Sequence, residues 1–168
     1  HLKQHGWEYV VVDIQWYEPT ADSAEYHPFA RLAMDEYGRL VPAVNRFPSA
    51  AGGQGFGPLA AYVHSLGLKF GLHIMRGIPR QAVHAHTPVL GTTLDAAAVA
   101  HATSLSSWNT DMYGVDARKL GAQAWYDSIF QLYAGWGVDF VKVDDIADPY
   151  SAGEVELIHA AIERCGRP

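Results

Sequence analysis

Three side chains with acid–base or nucleophilic chemistry stand at equivalent points of the sequence, where predicted strands end. Asp13 ends the first apolar run, His73 stands near the end of the second, and Asp144 ends the third. The carboxyl ends of parallel strands lie at one edge of a sheet, so the sequence predicts that these side chains meet there. A carboxylate that ends a buried strand is costly to desolvate, and two in equivalent places favour a functional site. For either aspartate alone, capping of the following loop is an equal alternative.

The residues beside these strand ends indicate how the ionisation and the bonding partners of the carboxylates would be set. Side chains alternate between the two faces of a strand, so Lys142 and Asp144 share a face and Asp145 points away. A lysine beneath Asp144 would favour the ionised carboxylate, as a nucleophile requires. Asp145 is expected to bond to loop backbone. Arg76, just past the second strand, is a candidate ligand for a sugar hydroxyl or an anion, with pairing to a structural aspartate as the alternative.

The elements that carry these residues repeat one unit, which is a short apolar run, a long polar loop and an amphipathic helix. This order predicts an α/β fold with a parallel sheet, and the long loops all follow strands, on the face where barrel enzymes carry their sites. A closed eight-stranded barrel needs about 250 residues. The 168 residues are therefore expected to form a fragment of a (β/α)8 TIM barrel. The predicted strands are 9–13, 69–74 and 140–144, the predicted helices are 57–66, 121–136 and 151–165, and shorter helices are expected at 1–4 and 95–101.

Composition excludes several other classes of protein. The net charge is -6 and basic residues do not cluster, which argues against nucleic acid or an anionic membrane as partner. No apolar run approaches the roughly 20 residues of a membrane helix. The single Cys165 rules out an internal disulfide and a cysteine-based metal site. His84 and His86 lack a carboxylate at helical spacing, so a solvated loop is favoured over a metal site, and we expect no metal or cofactor.

Four segments resemble motifs of glycoside hydrolase family 27, in family order and over nearly the whole chain. The family has a (β/α)8 catalytic barrel, so the resemblance implies that residues 1–168 are a partial catalytic domain covering about barrel strands two to four. Residues 6–16 (GWEYVVVDIQW) resemble the family motif Y-V-N-I-D-D-C-W, and residues 37–42 and 46–49 (YGRLVP, RFPS) resemble G-x-L-x-P and F-P-S/D-G. Residues 59–73 (LAAYVHSLGLKFGLH) resemble L-A-D-Y-V-H-x-K-G-L-K-x-G-I-Y. Residues 136–145 (WGVDFVKVDD) resemble W-G-x-D-Y-L-K-Y-D-N.

The resemblance implies a role for each residue that matches a family motif. Asp144 takes the place of the catalytic nucleophile, and Lys142 that of a lysine that binds sugar hydroxyls. Asp13 matches the first aspartate of a pair that holds galactose hydroxyls. Trp16 matches the tryptophan that closes this motif, so the resemblance implies that it also contacts the substrate. His73 stands where the family usually has a tyrosine facing the sugar.

Several positions depart from the family pattern and bear on the choice of sugar. Ile14 replaces the second aspartate of the pair, which removes a contact to a galactose hydroxyl, and Gln15 replaces a cysteine. Met75 and Arg76 replace a small and an acidic residue. A site that loses a hydroxyl acceptor loses selectivity for that hydroxyl. Terminal α-galactosyl residues are the default substrate, and α-N-acetylgalactosaminides, β-L-arabinopyranosides and glucans are alternatives within the clan.

The implied activity is retaining hydrolysis of an O-glycosyl bond in a carbohydrate substrate. Asp144 would form a glycosyl-enzyme, while a second carboxylic acid about 5 Å away protonates the leaving oxygen. The family carries that acid on a later strand, so the chain alone is expected to be inactive. One rival is a metal-dependent barrel enzyme with Asp13, Asp144 and Asp145 as ligands of a hard cation. Another is a non-catalytic relative that binds sugar.

Overall fold

The computed structural model describes residues 2–167, and its elements follow the predicted alternation. The predicted stub at 1–4 corresponds to a 3-10 turn at Leu2–His5, with His1 outside the described residues. A second 3-10 segment spans Pro48–Gly53. The strands are β1 (Tyr9–Val12), β2 (Lys69–Met75), β3 (Ile78–Pro79), β4 (Ala100–Leu105), β5 (Met112–Val115) and β6 (Phe140–Asp144), and the helices are α1 (Gly57–Ser65), α2 (Arg80–His84), α3 (Ala96–Val99), α4 (Ala122–Gly135) and α5 (Ala152–Arg164).

The main sheet is parallel, as predicted, with the strand order β1-β2-β6. Val12 pairs with Leu72, and His73 pairs with Lys142, so equivalent strand ends lie side by side. The sheet is open within residues 2–167 and is not a closed barrel. One face of β2 is buried in the hydrophobic core through Phe70, Leu72 and Ile74. The predicted fold class, an α/β fragment of parallel strands with their helices, is confirmed.

A second sheet occupies the segment that the sequence presented as a long loop. It is antiparallel, with the order β3-β5-β4. The helix expected at 95–101 is shorter, because it ends at Val99 and the chain continues as β4 from Ala100. Asp95 caps this helix, since its Oδ1 accepts the Ala98 N–H at 2.9 Å. The run of alanines predicted a longer helix, but pairing of Ala100 with Val115 draws the following residues into the sheet.

Helix α5 begins near the predicted position, but its first turn makes different contacts from those expected. The spacing Ser151-x-x-Glu154 predicts a capping box at its start. This prediction is wrong, because Ser151 makes no side-chain cap hydrogen bond and Glu154 is instead buried against Arg76 and Tyr126. The apolar spacing of this helix predicts a buried face of Val155, Ile158, Ile162 and Cys165. Of these only Ile158 is buried, and Ile162 is exposed, so the buried face is rotated. The other buried residues of this helix are Glu154, Leu157 and Ala161. None of the described helices combines the length and apolarity that crossing a membrane demands.

An aromatic cluster fills the core between the main sheet and its helices. Trp16 lies edge-on to Phe56 at 5.3 Å between ring centroids, and to Tyr133 and Trp136 at 6.4 Å each. Such pairs contribute about 0.5–1.5 kcal/mol each beyond the burial of their surface. Trp16 comes directly after the loop start at Gln15, so its burial anchors the chain just past β1.

Gly77, between β2 and β3, is a position where a side chain would break the packing. Its φ is +99°, and an added Cβ would overlap the carbonyl oxygen of Tyr113. Gly77→Ala in the full-length protein should lower the free energy of unfolding by about 2–5 kcal/mol, because the left-handed backbone and the overlap both add cost. Urea denaturation measures this. Gly52→Ala is the matched control, since Gly52 has φ +70° with open space around it, and only the backbone cost of about 1–2 kcal/mol applies. Equal losses in both variants would contradict the close approach.

Candidate active site

The carboxyl edge of the main sheet brings together the polar side chains that the sequence predicted there. His73 and Lys142 are register partners on adjacent strands. Asp13 follows Val12, the register partner of Leu72, and therefore stands beside His73. Asp144 ends the same strand as Lys142, two residues further on and on the same face. The predicted meeting of these side chains is thus present in the structure.

His73 lies at the centre of this group and is fully buried. Its Nε2 is 3.2 Å from Asp144 Oδ2 and 4.0 Å from Asp13 Oδ1. Burial lowers the pKa of His73, although the two carboxylates oppose this effect. Its Nδ1 has no hydrogen-bond partner among residues 2–167. The imidazole therefore hydrogen-bonds the Asp144 carboxylate from beneath, and the Asp13 carboxylate lies nearby without a hydrogen bond to it.

Lys142 differs from its predicted role beneath Asp144. Its Nζ lies 3.3 Å from both carboxylate oxygens of Asp13 instead, because the register places it on the rung of His73 and Asp13 rather than on that of Asp144. Burial alone would raise the pKa of Asp13, but bonds from the Ile14 N–H and from Lys142 outweigh it and lower the pKa. Both side chains of this pair are about half exposed. An exposed pair contributes little to stability and is free to contact a ligand.

The Asp144 carboxylate is held at both oxygens while remaining accessible. Its Oδ1 accepts the backbone N–H of Asp145 at 2.9 Å, and its Oδ2 faces His73. The side chain is 40% exposed. A carboxylate fixed in orientation and open on one side can attack an electrophilic carbon.

Asp145 and Arg76 form a buried structural cluster behind the site. Arg76 Nη2 is 3.1 Å from Asp145 Oδ2, and Arg76 Nη1 is 2.9 Å from Glu154 Oε1 and 3.0 Å from Ser104 Oγ. Arg76 Nε also donates to the backbone carbonyl of Asp145. Arg76 was a candidate ligand for substrate, but its burial and its protein partners favour the alternative of a structural ion pair. Asp145 likewise binds this guanidinium rather than the loop backbone expected for it.

Sequence reasoning missed the other members of this cluster. Tyr126 donates to Glu154 Oε2 at 2.5 Å and accepts the Gly77 N–H at 2.8 Å. The signal in the sequence was Arg76 itself, because a charged residue within an apolar stretch requires a buried partner.

Trp16 also lies where a sugar cannot reach it. The side chain is fully buried, and its Nε1 donates to the His73 carbonyl at 2.8 Å. The expectation of a substrate contact is therefore corrected to one of support, since Trp16 holds the backbone of the central histidine.

The loop after β1 is tied down by a second buried carboxylate, Asp111. Gln15 Nε2 donates to its Oδ2 at 2.5 Å, and the Tyr17 hydroxyl donates to the same oxygen at 3.1 Å. Burial raises the pKa of Asp111, although these bonds oppose the rise. Gln15 stands where family 27 usually has a cysteine, and here a side-chain hydrogen bond secures the loop.

The metal-site alternative finds little support in the geometry. Across residues 2–167, no three His, Cys, Asp or Glu side chains are grouped so that they could hold a metal ion. The set proposed as ligands is divided, because Asp145 binds Arg76 while Asp13 pairs with Lys142.

Comparisons with known proteins agree with this arrangement, although no family model matches the sequence. A variant of a family 27 β-L-arabinopyranosidase from Geobacillus stearothermophilus, in complex with arabinose, is 67% identical, with a TM-score of 0.97 over 99% of this chain and 40% of its own. A candidate α-N-acetylgalactosaminidase from Bacillus halodurans is 62% identical, with a TM-score of 0.93 over 100% of this chain and 40% of its own. Alpha-galactosidase 3 from Hypocrea jecorina is 35% identical over 115 residues, which are 68% of this chain and 16% of that protein.

The chain thus spans about two fifths of the length of the two structures and about a sixth of the fungal protein. The likeness to both structures extends over nearly every residue of the chain, including the strand ends that carry Asp13, His73 and Asp144. This chain belongs to glycoside hydrolase family 27.

Proposed function

We propose that the full-length protein is a retaining glycoside hydrolase acting on terminal α-galactosyl-type residues, with Asp144 as its nucleophile. The observation that carries the proposal is the Asp144 carboxylate, which is partly exposed at the strand-end rim and is oriented by the Asp145 amide and by His73. Family membership supports glycosidic chemistry at this rim. The acid/base partner is assigned to a part of the protein outside these residues.

The proposed reaction begins with attack of one Asp144 oxygen on the anomeric carbon. The glycosidic bond breaks, the leaving oxygen takes a proton from the acid/base carboxyl, and a glycosyl ester forms on Asp144. The acid/base residue, now a carboxylate, then deprotonates a water molecule, which cleaves the ester with retention of configuration. His73 and the Asp145 amide keep the attacking carboxylate oriented, so that little reorganisation is needed when the sugar arrives.

Asp13 and Lys142 are the proposed contacts to sugar hydroxyls. Their side chains are 58% and 47% exposed beside the nucleophile. Asp13 supplies only acceptors and Lys142 only donors, so the pair can bind two hydroxyls of opposite hydrogen-bonding role. The lowered pKa of Asp13 keeps it ionised over the working range of a glycosidase.

A β-L-arabinopyranoside is a second candidate substrate, favoured by one residue. β-L-Arabinopyranose presents the same ring hydroxyls as α-D-galactose but lacks the hydroxymethyl group. Ile14, next to Asp13, is partly buried and packs against the core, so it offers no acceptor where family 27 usually has an aspartate. A similar enzyme from Geobacillus stearothermophilus acts on this sugar.

The nucleophile assignment is tested with Asp144→Asn in the full-length protein. Turnover of a nitrophenyl α-galactoside or β-L-arabinopyranoside should fall by roughly a thousandfold or more, because an amide cannot form the glycosyl ester. Asp127→Asn is the matched control, since Asp127 lies on α4 and contacts Arg164, and its turnover should be unchanged. A 2-fluoro sugar should label Asp144, as read by mass spectrometry of the digested protein.

Other results would favour the rival functions. A label on another residue, or unchanged turnover in Asp144→Asn, would overturn the assignment of the nucleophile. Loss of activity to a chelator with no trapped adduct would favour the metal-dependent enzyme. Sugar binding without turnover in either form would favour the non-catalytic relative.

Ile14→Asp tests the choice between the two sugars. A restored acceptor beside Asp13 should raise the ratio of kcat/KM for the galactoside over the arabinopyranoside by roughly tenfold, because it gains a partner only in the larger sugar. Ile14→Val, which adds no polar atom, is the control and should leave the ratio unchanged. An equal effect of both substitutions would show that the position does not read the hydroxymethyl group.

The buried state of His73 predicts a dependence of stability on pH. Because burial holds the His73 pKa below its ordinary value of 6.5, the unfolded chain binds more protons than the folded chain just below that pH. The free energy of unfolding should therefore fall as pH is lowered from about 7 to about 5. His73→Gln should flatten this slope in urea titrations at several pH values. His159→Gln, at an exposed histidine on α5, is the control and should keep the wild-type slope.

A further inference from the structure

A pocket away from the strand-end carboxylates carries a different chemistry. It lies between the loop at 29–32, helix α2 and the segment at 110–113, and encloses about 550 Å³, a volume within the range of small-molecule sites. Its lining combines cationic and aromatic side chains. The members used below are Phe29, Arg31, Arg80, His84 and Tyr113.

Arg80 is held firmly in this pocket but has no anionic partner. Its Nε donates to the Met112 carbonyl at 3.2 Å, and its guanidinium carbon lies 5.0 Å from the Tyr113 ring and 6.0 Å from the Phe29 ring. Within residues 2–167, Nη1 and Nη2 of Arg80 donate no hydrogen bond to protein, and no carboxylate lies within ion-pairing distance. A guanidinium fixed at one edge and free at the other presents a planar pair of donors, which matches a carboxylate.

The surroundings of Arg80 are positive on a chain whose net charge is -6. Neither 26–34 nor 77–94 contains an aspartate or a glutamate. Asp111 is the one carboxylate of the lining. Its Oδ2 accepts hydrogen bonds from Gln15 and Tyr17, and its Oδ1 is buried without a partner among residues 2–167. Arg31 and Arg80 outnumber this single carboxylate. The field in the pocket therefore favours an anion.

Phe29 adds an exposed apolar ring to the pocket, and its backbone adopts the left-handed conformation. Its side chain is 76% exposed and its φ is +58°, a conformation that is unfavourable for a bulky residue. The Thr110 hydroxyl accepts the Phe29 N–H at 2.7 Å and holds this conformation. An exposed ring kept in a strained position beside an unpaired guanidinium indicates a binding role.

We propose that this pocket binds a sugar carrying a carboxylate, that is, a uronic acid unit. The free edge of Arg80 receives the carboxylate, Arg31 adds positive charge, and the rings of Phe29 and Tyr113 receive the apolar face of the pyranose. The choice of a sugar rests on the proposed function, whereas the choice of an anion rests on the pocket alone. The protein would thereby recognise acidic glycans at a place other than the reacting bond.

The test uses the full-length protein and a uronic acid disaccharide together with its carboxyl-reduced, neutral counterpart. Isothermal titration should show the acidic form binding roughly tenfold more tightly, as a charge-assisted pair predicts. Arg80→Gln should abolish this preference. Arg118→Gln removes the same charge from an exposed arginine paired with Asp116 and should leave the preference intact.

Further variants guard against a fold defect in Arg80→Gln. Arg80→Lys keeps the charge but loses the planar donor pair, so the preference should again fall. Phe29→Ala should weaken the acidic and neutral sugars alike, since the ring contacts both. Equal binding of the two sugars by the wild type, or a preference that survives in both Arg80 variants, would overturn the proposal. Binding of inorganic phosphate with no binding of the uronic acid sugar would also overturn it, because the pocket would then be a simple anion site.

The same preparations separate this inference from the proposed function. Hydrolysis of a neutral nitrophenyl glycoside by the wild type and by Arg80→Gln should be equal. Absence of hydrolysis in both would contradict the glycosidase while the titrations still decide the pocket, and normal hydrolysis without acidic preference would contradict the pocket alone.

Discussion

The site depends on one fully buried imidazole at the end of the central strand. His73 has no access to solvent, and burying a polar ring is costly unless it is hydrogen-bonded. Asp144 provides that bond on the solvent side, while Trp16 binds the His73 backbone from the core side. The nucleophile candidate is therefore not an isolated carboxylate on a flexible loop, since it is tied to the rigid interior of the sheet through its histidine.

A second buried charged group, the Arg76 guanidinium, holds Asp145, the residue that follows Asp144. Arg76 is enclosed by Asp145 and Glu154, so its guanidinium is paired with two carboxylates, and the Tyr126 hydroxyl also donates to Glu154. Removing one partner of such a group costs about 3–5 kcal/mol, whereas the intact group contributes little net stability. Its value is therefore geometric. The cluster fixes the turn after β6, and this turn presents the Asp145 amide to Asp144.

The sequence predicted the main sheet and the meeting of its polar ends because both follow from local rules. Apolar runs of five or six residues that end at or near Asp13, His73 and Asp144 predict parallel strands, and parallel strands share an edge. Of these three strands only β2 is largely buried within residues 2–167, whereas β1 is largely exposed and β6 is exposed or half-buried. The second sheet was not predictable in this way, since β3 is only two residues long and β4 is rich in small residues and departs from regular pairing. Its strands form because of neighbours that are distant in sequence.

The sequence also did not predict which side chains pair with one another within the site. Alternation correctly put Lys142 and Asp144 on one face, but only the register shows that the lysine meets Asp13. Glu154 fits a capping box three residues after Ser151, yet the nearby guanidinium binds it more strongly than a backbone amide can. Trp16 belongs to a motif associated with the site, and its burial makes it a support for His73.

The side chains at the candidate site differ in their access to solvent. The residues that were predicted to surround the sugar fall into two layers. Asp13, Lys142 and Asp144 are accessible and form the outer layer, whereas His73, Trp16 and Arg76 are buried. His73 contacts Asp144 directly, Trp16 binds the His73 carbonyl, and Arg76 binds the neighbouring Asp145. In the proposed function, substitutions in the buried layer should change the orientation of a carboxylate rather than remove a contact to substrate. In the proposed function, the choice of sugar belongs to Asp13, Lys142 and their partly buried neighbour Ile14, whose side chains can change without disturbing the buried network.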